Sequence, residues 1–361
     1  SARRAGVPSG STPRPEGTGR PWSCSPARPN MHFSVKRLAQ SLKSLEGGAG
    51  GPPARVCVAV SGGVDSLAHL HSAAALASAG HFALRALHID HGLQQASAGW
   101  AAHCRQTCDG LAVPFGVLSL RLVPAKGVSV EAAARDARYA ALSAQLQPGE
   151  WLLTAHHQDD QFETVLLQLL RGAGVAGLAA MPGLARLGPG WHARPLLDER
   201  RAALEAYALA AGLEWIEDPM NAELRYERAY LRQELSPRIL ARWPAAGRTV
   251  ARSARHLADA QVILAEVAAA DARLAVDAEG RLDLGLLLGL SVPRQRNLLR
   301  AWLDGRGLGL PSTARLEAIL RDLVPARADA TPVVTWPSGE VRRYRGRLYA
   351  MSPLGPPPTG W

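Results

Sequence analysis

Ser61, Gly62, Gly63, Val64, Asp65 and Ser66 form a small polar loop directly after the apolar run VCVAV. Glycines let the backbone approach a ligand closely, and successive N–H groups there make a nest for an anion. The helix that follows adds its positive N-terminal end. The two serine hydroxyls can donate to phosphate oxygens. A plain strand-to-helix turn needs one glycine, not six small and polar residues, so the stretch reads as a phosphate cradle. The pattern G-x-x-x-x-G-K-[ST] occurs nowhere in the chain, so this is not the ordinary P-loop.

A second chemical cluster is TAHHQDDQFET. His157, Asp160 and Thr164 stand at i, i+3 and i+7. Asp159 and Glu163 stand at i and i+4, so one helical turn can point both carboxylates at one place. Paired carboxylates beside phosphates suit Mg2+, which takes oxygen ligands and keeps several waters. An aspartate at a helix start also favours the helix dipole, so a capping role is expected for one of the two. His156 reads as filler at a strand end. The third cluster, HIDHGL, begins with His88 and Asp90.

These clusters need elements to carry them. VCVAV, ALRALHID, PFGVLSL and WLLTA read as strands, each followed by a helical pattern; the first helix is expected from about Ser66. Such alternation implies an α/β fold, a parallel sheet covered on both faces. Ligands in these sheets bind at the carboxyl ends of the strands. SGGVDS, HIDHGL and HHQDD all fall there. After about Arg242 the texture turns to Ala- and Leu-rich helices as far as Leu323, with no strands between them. TPVVTWPSGEVRRYRGRLYAM then reads as short antiparallel strands around a Pro-Ser-Gly turn.

The expected division is a disordered basic arm over 1–30, a catalytic domain over 31–240 and a mainly helical C-terminal domain with a short β element over 241–361. The arm is rich in Pro, Gly, Ser and Arg and has no apolar core of a secretory signal. The 361 residues carry a net charge of +10, with pI about 10.1. The arm's five arginines stand against one glutamate, so +6 remains on the rest. That balance favours a polyanionic partner, nucleic acid first. No apolar run is long enough to cross a membrane. The four cysteines form no C-x-x-C pair; Cys104 and Cys108 read as a helix face in a reducing cytosol rather than a zinc site. The expected location is therefore cytoplasmic. The stretch RRYRGRLY interleaves Arg342, Arg343 and Arg345 with tyrosines, which suits phosphate contact and base stacking, or else a charge-protected edge strand. Arg296 and Arg300 share a helix face with similar prospects.

S-G-G-x-D-S after a first strand resembles the PP-loop ATP pyrophosphatases. H-x-D-D-x-x-E-T followed by R-G-x-G-x-x-G-L is similar to tRNA(Ile)-lysidine synthetase. HIDHGL, EAAARDARY, RPLL, WIEDPMN and YERAYLR follow in that family's order, over about Phe33–Met351. Ala229 stands where the family has an asparagine, and Met220 where it has a serine. Longer members carry a further C-terminal domain, for which this chain is expected to lack room, so tRNA contacts that are fewer or differently arranged are expected.

The resemblance implies that ATP is cut between its α and β phosphates. An adenylated base then forms on the wobble cytidine of a CAU-anticodon tRNA(Ile), and the ε-amine of L-lysine displaces AMP at C2. It implies nucleotide-binding roles for Ser61, Gly62, Gly63, Val64, Asp65, Ser66, His88, Asp90 and His157. Catalytic roles fall to Asp65, Arg135, Asp159 and Asp160, with Arg135 neutralising the adenylate or α-phosphate. A salt bridge from Arg135 to Glu131 is the plainer reading of that residue. Asp159 and Asp160 are the candidates for Mg2+ or the lysine ammonium. Glu163, Arg171, Arg228, Arg232, Arg342, Arg343 and Arg345 are the candidates for lysine and tRNA. No membrane partner is implied, and the oligomeric state is open, a homodimer being one option. The alternatives are another PP-loop enzyme such as a tRNA thiolase, whose usual C-x-x-C pairs are absent, and a binding protein with a vestigial site, whose motifs would be broken.

Overall fold

The computed structural model describes residues 32–90, 97–120, 130–217, 223–325 and 332–354. Helix α1 (Val35–Ala49) is capped by Ser34, whose hydroxyl accepts the Arg37 amide. Strand β1 (Arg55–Val60) is buried along all but its first residue. A strand with both faces apolar belongs in the middle of a covered parallel sheet. Helix α2 (Val64–Ser78), β2 (Ala83–Asp90), α3 (Ser97–Gly110), β3 (Phe115–Ser119), α4 (Val130–Gln145), β4 (Trp151–Leu153) and α5 (Gln158–Leu170) continue the alternation. The first motif helix begins at Val64, not at about Ser66. Asp65 therefore sits inside its first turn.

After α6 (Val175–Leu178) comes a hairpin the sequence reading did not foresee: β5 (Leu184–Leu187) and β6 (Gly190–Ala193). β6 pairs parallel with β4, and the sheet runs β3-β2-β1-β4-β6-β5. Gly190 is required where β6 meets the end of α4 and β4, because a Cβ there would lie 2.3 Å from the Glu150 carbonyl oxygen. β1 pairs with β2 on one side and β4 on the other, both parallel. Chain order therefore reverses between β1 and β4, the switch point where such sheets bind ligands.

The core of this part holds Val56, Val58, Leu67, Leu70, Trp151, Leu153, Leu196 and Leu204. Cys104 and Cys108 lie in it, one turn apart on α3. Burial pushes their thiols up to about 11 and about 12, so neither is a ready nucleophile.

Helix α7 (Arg201–Ala210) packs on α2. Then α8 (Glu227–Tyr230), a π turn over Leu231–Leu235 and α9 (Ser236–Arg242) lead into α10 (Ala246–Ala275). Thirty residues make α10 about 45 Å long. It packs on α5 and α6 near one end and on α12 (Val292–Gly305) near the other. Around it stand β7 (Leu282–Asp283), α11 (Leu284–Leu288), α13 (Thr313–Ala318), β8 (Val333–Trp336), β9 (Gly339–Tyr344) and β10 (Arg347–Met351). These enclose a second core of Leu282, Leu287, Leu298, Leu303, Ile319, Val341 and Leu348.

The second sheet is antiparallel, ordered β7-β10-β9-β8. β7 corrects the expectation that no strand lies between Arg242 and Leu323. It pairs through only Leu282 and Asp283, too short for an alternating pattern to show. The β9–β10 turn puts Arg345 and Gly346 both at positive φ, the two-residue hairpin turn that matches strand twist. No helix among the described residues is long and apolar enough to cross a membrane.

Candidate active site

The loop after β1 is built from inside. Gly62 has φ +88°, so a side chain there would be strained. Ser66 Oγ accepts the Ser61 amide at 3.2 Å and donates to the Gly63 carbonyl at 2.8 Å; the two serine hydroxyls are 3.1 Å apart. The Gly62 carbonyl accepts the Ile216 amide at 3.0 Å, which fastens the WIEDPMN segment to the loop. Met220 and the rest of that segment beyond Glu217 lie outside the described residues. His88 stands on β2 opposite Val60 at the end of β1. It is buried, and its Nδ1 lies 2.9 Å from the Val60 carbonyl, where it pins the end of β1. Asp90 ends β2, and the HGL that follows lies outside the described residues.

The second loop, after β4, places His157 at the N-cap of α5. Its Nδ1 accepts the Asp160 amide at 3.3 Å, and Asp160 Oδ2 accepts the His157 amide at 3.1 Å, a reciprocal capping box. The opposite ring nitrogen, Nε2, lies 3.7 Å from Asp65 Oδ2 and 3.4 Å from Asp160 Oδ2. The two strand-end loops thus meet at His157. Burial opposes charge on this ring, but the carboxylates of Asp65, Asp160 and Asp159 outweigh it and raise its pKa. The capping bond, which needs an unprotonated Nδ1, pulls the other way. Asp65 Oδ1 is buried and makes no hydrogen bond. Asp65 Oδ2 also lies 3.7 Å from Arg201 Nε.

The pairing expected of Asp159 and Glu163 is corrected. Asp159 Oδ2 accepts the Arg201 amide at 2.8 Å and so serves the first turn of α7. Glu163 instead stands with Asp160, at i+3. Arg232 grips Glu163 with two bonds, Nε to Oε1 at 2.7 Å and a terminal nitrogen to Oε2 at 2.9 Å, and reaches Asp160 Oδ1 at 3.0 Å. Arg228 donates to Thr164 Oγ1 at 2.7 Å, and its Nε lies 3.4 Å from Glu163 Oε2. Burial works against the Arg232 charge, but the bond to Glu163 outweighs it and raises its pKa. Burial raises the Asp160 carboxyl, yet His157, Arg232 and Arg228 together hold it below the usual range. Arg232 lies in the π turn, a feature often found at functional sites. Ala229, between the arginines, is buried and sends no polar group into the cluster.

Other candidates stand apart from this centre. Arg135 is exposed, its guanidinium 5.2 Å from the Tyr139 ring centre; nothing is described of the Glu131 side chain. Arg171 is exposed at the end of α5 and pairs with Glu227. The C-terminal arginines lie on the partly exposed rim of the second core. Arg342 binds the buried Glu340 at 2.6 Å, Arg343 donates to the Val324 carbonyl at 2.9 Å, and Arg296 binds Glu317 at 2.8 Å. Arg345 is exposed at its turn, 5.1 Å from the Tyr344 ring centre.

The sequence reading did not single out Arg201 or Ile216. Arg201 carried a faint signal, the acidic-basic run DERR before a helix. Among the described residues, no group of three or more His, Cys, Asp and Glu side chains is arranged as a metal cage.

Residues 31–239 match a PP-loop domain, and residues 282–349 match the TilS substrate binding domain. The chain is 48% identical over 330 residues to a tRNA(Ile)-lysidine synthase of Alkalilimnicola ehrlichii, covering 91% of this chain and 73% of that protein. It is 49% identical over 304 residues to one of Pseudomonas aeruginosa, covering 81% and 68%. In fold it is similar to a U34-tRNA thiolase from Methanococcus maripaludis, with a TM-score of 0.51 at 14% identity, covering 62% of this chain and 76% of that one.

Proposed function

Because the chain belongs to the tRNA(Ile)-lysidine synthase family, we propose that it joins the ε-amine of lysine to C2 of the wobble cytidine of a CAU-anticodon tRNA(Ile). The observation that carries this reading is the meeting of the SGGVDS loop and the HHQDD loop at the β1/β4 switch point. The base oxygen attacks the α-phosphorus of ATP and pyrophosphate leaves. The lysine nitrogen then attacks C2, and AMP departs with the base oxygen. Neither step needs a covalent enzyme nucleophile; both need positioning and charge stabilisation.

The loop amides and Ser61 hold the pyrophosphate portion. Mg2+ fits as an ion carried by the ATP phosphates with one or two protein carboxylates, since no protein cage exists among the described residues. Asp65 Oδ1, buried and unbonded, is the best-suited oxygen, with Asp159 and Asp160 close by. The ion would neutralise phosphate charge there. Asp160 and Glu163 supply the negative charge for the lysine ammonium, and Arg228 and Arg232 hold those carboxylates in place. Arg135, exposed on α4 beside Tyr139, is the candidate to neutralise the adenylate, on the strength of the family motif alone. Residues 31–240 carry the chemistry and 241–361 hold tRNA.

The test is transfer of labelled lysine with ATP and Mg2+ present. The expected outcome is labelling of the isoleucine CAU tRNA and not of the methionine tRNAs, which share its anticodon bases. Equal labelling of both refutes the specificity, and labelling of neither refutes the substrate assignment.

Arg345 gives a separate expectation for tRNA binding. Its charge has no carboxylate partner among the ion pairs of the described residues. Arg345→Ala should lower the log–log salt slope of tRNA binding by roughly 0.7–0.9 and leave stability unchanged. An unchanged slope would move the phosphate contact elsewhere. Arg342 and Arg343 do not offer so clean a test. Removing them also strips the buried Glu340 of its partner and helix-end carbonyls of their donor.

A further inference from the structure

A line of hydrogen bonds runs from β6 to the loop after β4, through residues that the reaction scheme above does not use. A terminal nitrogen of Arg194 lies 3.0 Å from His192 Nδ1. A guanidinium only donates, so His192 Nδ1 accepts and the ring proton sits on Nε2. That Nε2 lies 2.8 Å from Thr154 Oγ1. Thr154 Oγ1 in turn lies 2.8 Å from His156 Nδ1. With His192 donating to the hydroxyl, the arrangement that satisfies every group passes the threonine proton to His156 Nδ1. The remaining proton of His156 then sits on Nε2.

The line is buried at its base. Thr154, His192 and Arg194 are all buried. Arg194 is anchored by a second bond, to the Pro182 carbonyl at 2.8 Å. The charges facing the two rings are mostly positive: Arg138 and Arg194 face both, Arg135 faces His192, and Asp160 opposes them at His156. Burial and these arginines push His192 down to about 3 and hold His156 well below its ordinary value, so both rings stay neutral. A neutral imidazole that donates from a fixed nitrogen can stabilise charge developing on oxygen without acting as a base.

We propose that Arg194, His192 and Thr154 are positioning residues that fix His156 as the Nε2–H tautomer, a hydrogen-bond donor at the carboxyl end of β4. The acceptor is an oxygen that gains negative charge in the reaction, of phosphoryl or base-carbonyl type, as the surrounding arginines require. This rests on the functional reading above only for the identity of that oxygen.

The test uses the full chain labelled with 15N-histidine and long-range proton–nitrogen correlation of the imidazole rings, with His156→Ala to assign the signal. The expected spectrum has a protonated Nε2 and a bare Nδ1 on His156 across about pH 6–9, without substrate. Thr154→Val should mix the tautomers and lower kcat roughly 10- to 100-fold, as when a histidine loses the partner that fixes its tautomer. KM for ATP should hold, and Thr154→Ser should restore both readouts. A wild-type ring protonated on Nδ1, or wild-type kcat in Thr154→Val, overturns the proposal. The wild-type spectrum decides alone if Thr154→Val does not fold. The spectrum needs no substrate, so the expected tautomer with no lysine transfer would sink the functional reading instead.

Discussion

Asp65→Asn is expected to lower turnover by about 10²- to 10³-fold, the loss typical when one preorganised electrostatic contact is removed. The substitution keeps shape and removes one charge. In the folded chain Asp65 Oδ1 is buried without a hydrogen bond, while Oδ2 lies near His157 Nε2 and Arg201 Nε. Those contacts at 3.7 Å are long, so losing them costs little stability. Ser61 and Ser66 hold the loop independently of Asp65. Steady-state kinetics beside thermal unfolding separates the two effects. Unchanged turnover would mean that the loop's carboxylate is structural.

Glu163→Ala is expected to destabilise the fold by about 2–3 kcal/mol. Breaking a buried pair from one side costs about 3–5 kcal/mol because the other charge is stranded. Glu163 is 2% exposed, but the Arg232 side chain is 32% exposed and can recover some hydration, which lowers the figure. Arg228 loses its carboxylate neighbour in the same event but keeps Thr164, and Arg232 keeps Asp160. Denaturant unfolding of the single variant and of Glu163→Leu with Arg232→Met checks the cause. The double variant should regain stability and remain inactive in lysine transfer. A single variant as stable as the wild type would show that the pair is no more than a solvated contact.

Much of the α/β part was legible in the sequence because its strands are continuous apolar runs that end in polar loops. ALRALHID is β2 residue for residue, and VCVAV is β1 less its first residue. The β5–β6 hairpin was not legible: two four-residue strands between glycines and prolines carry too little period to stand out. Nor could spacing tell which carboxylate pairs with Glu163. Along one helix both i−4 and i−3 are neighbours, and the choice is made by Arg232, 69 residues away in sequence, and by the α7 amide that claims Asp159. His156 looked like filler for the same reason. Its partner chain through Thr154, His192 and Arg194 crosses two strands that no local pattern connects.

The most direct measurement of the central claim combines two readouts on one reaction of chain, ATP, Mg2+, lysine and CAU-anticodon tRNA(Ile). Nucleotide products are counted, and the tRNA is digested to nucleosides and weighed. The account predicts one AMP and one pyrophosphate per modified tRNA, with the wobble cytidine heavier by one lysine less one water. Release of ADP, or a wobble cytidine of unchanged mass with ATP consumed, would contradict it.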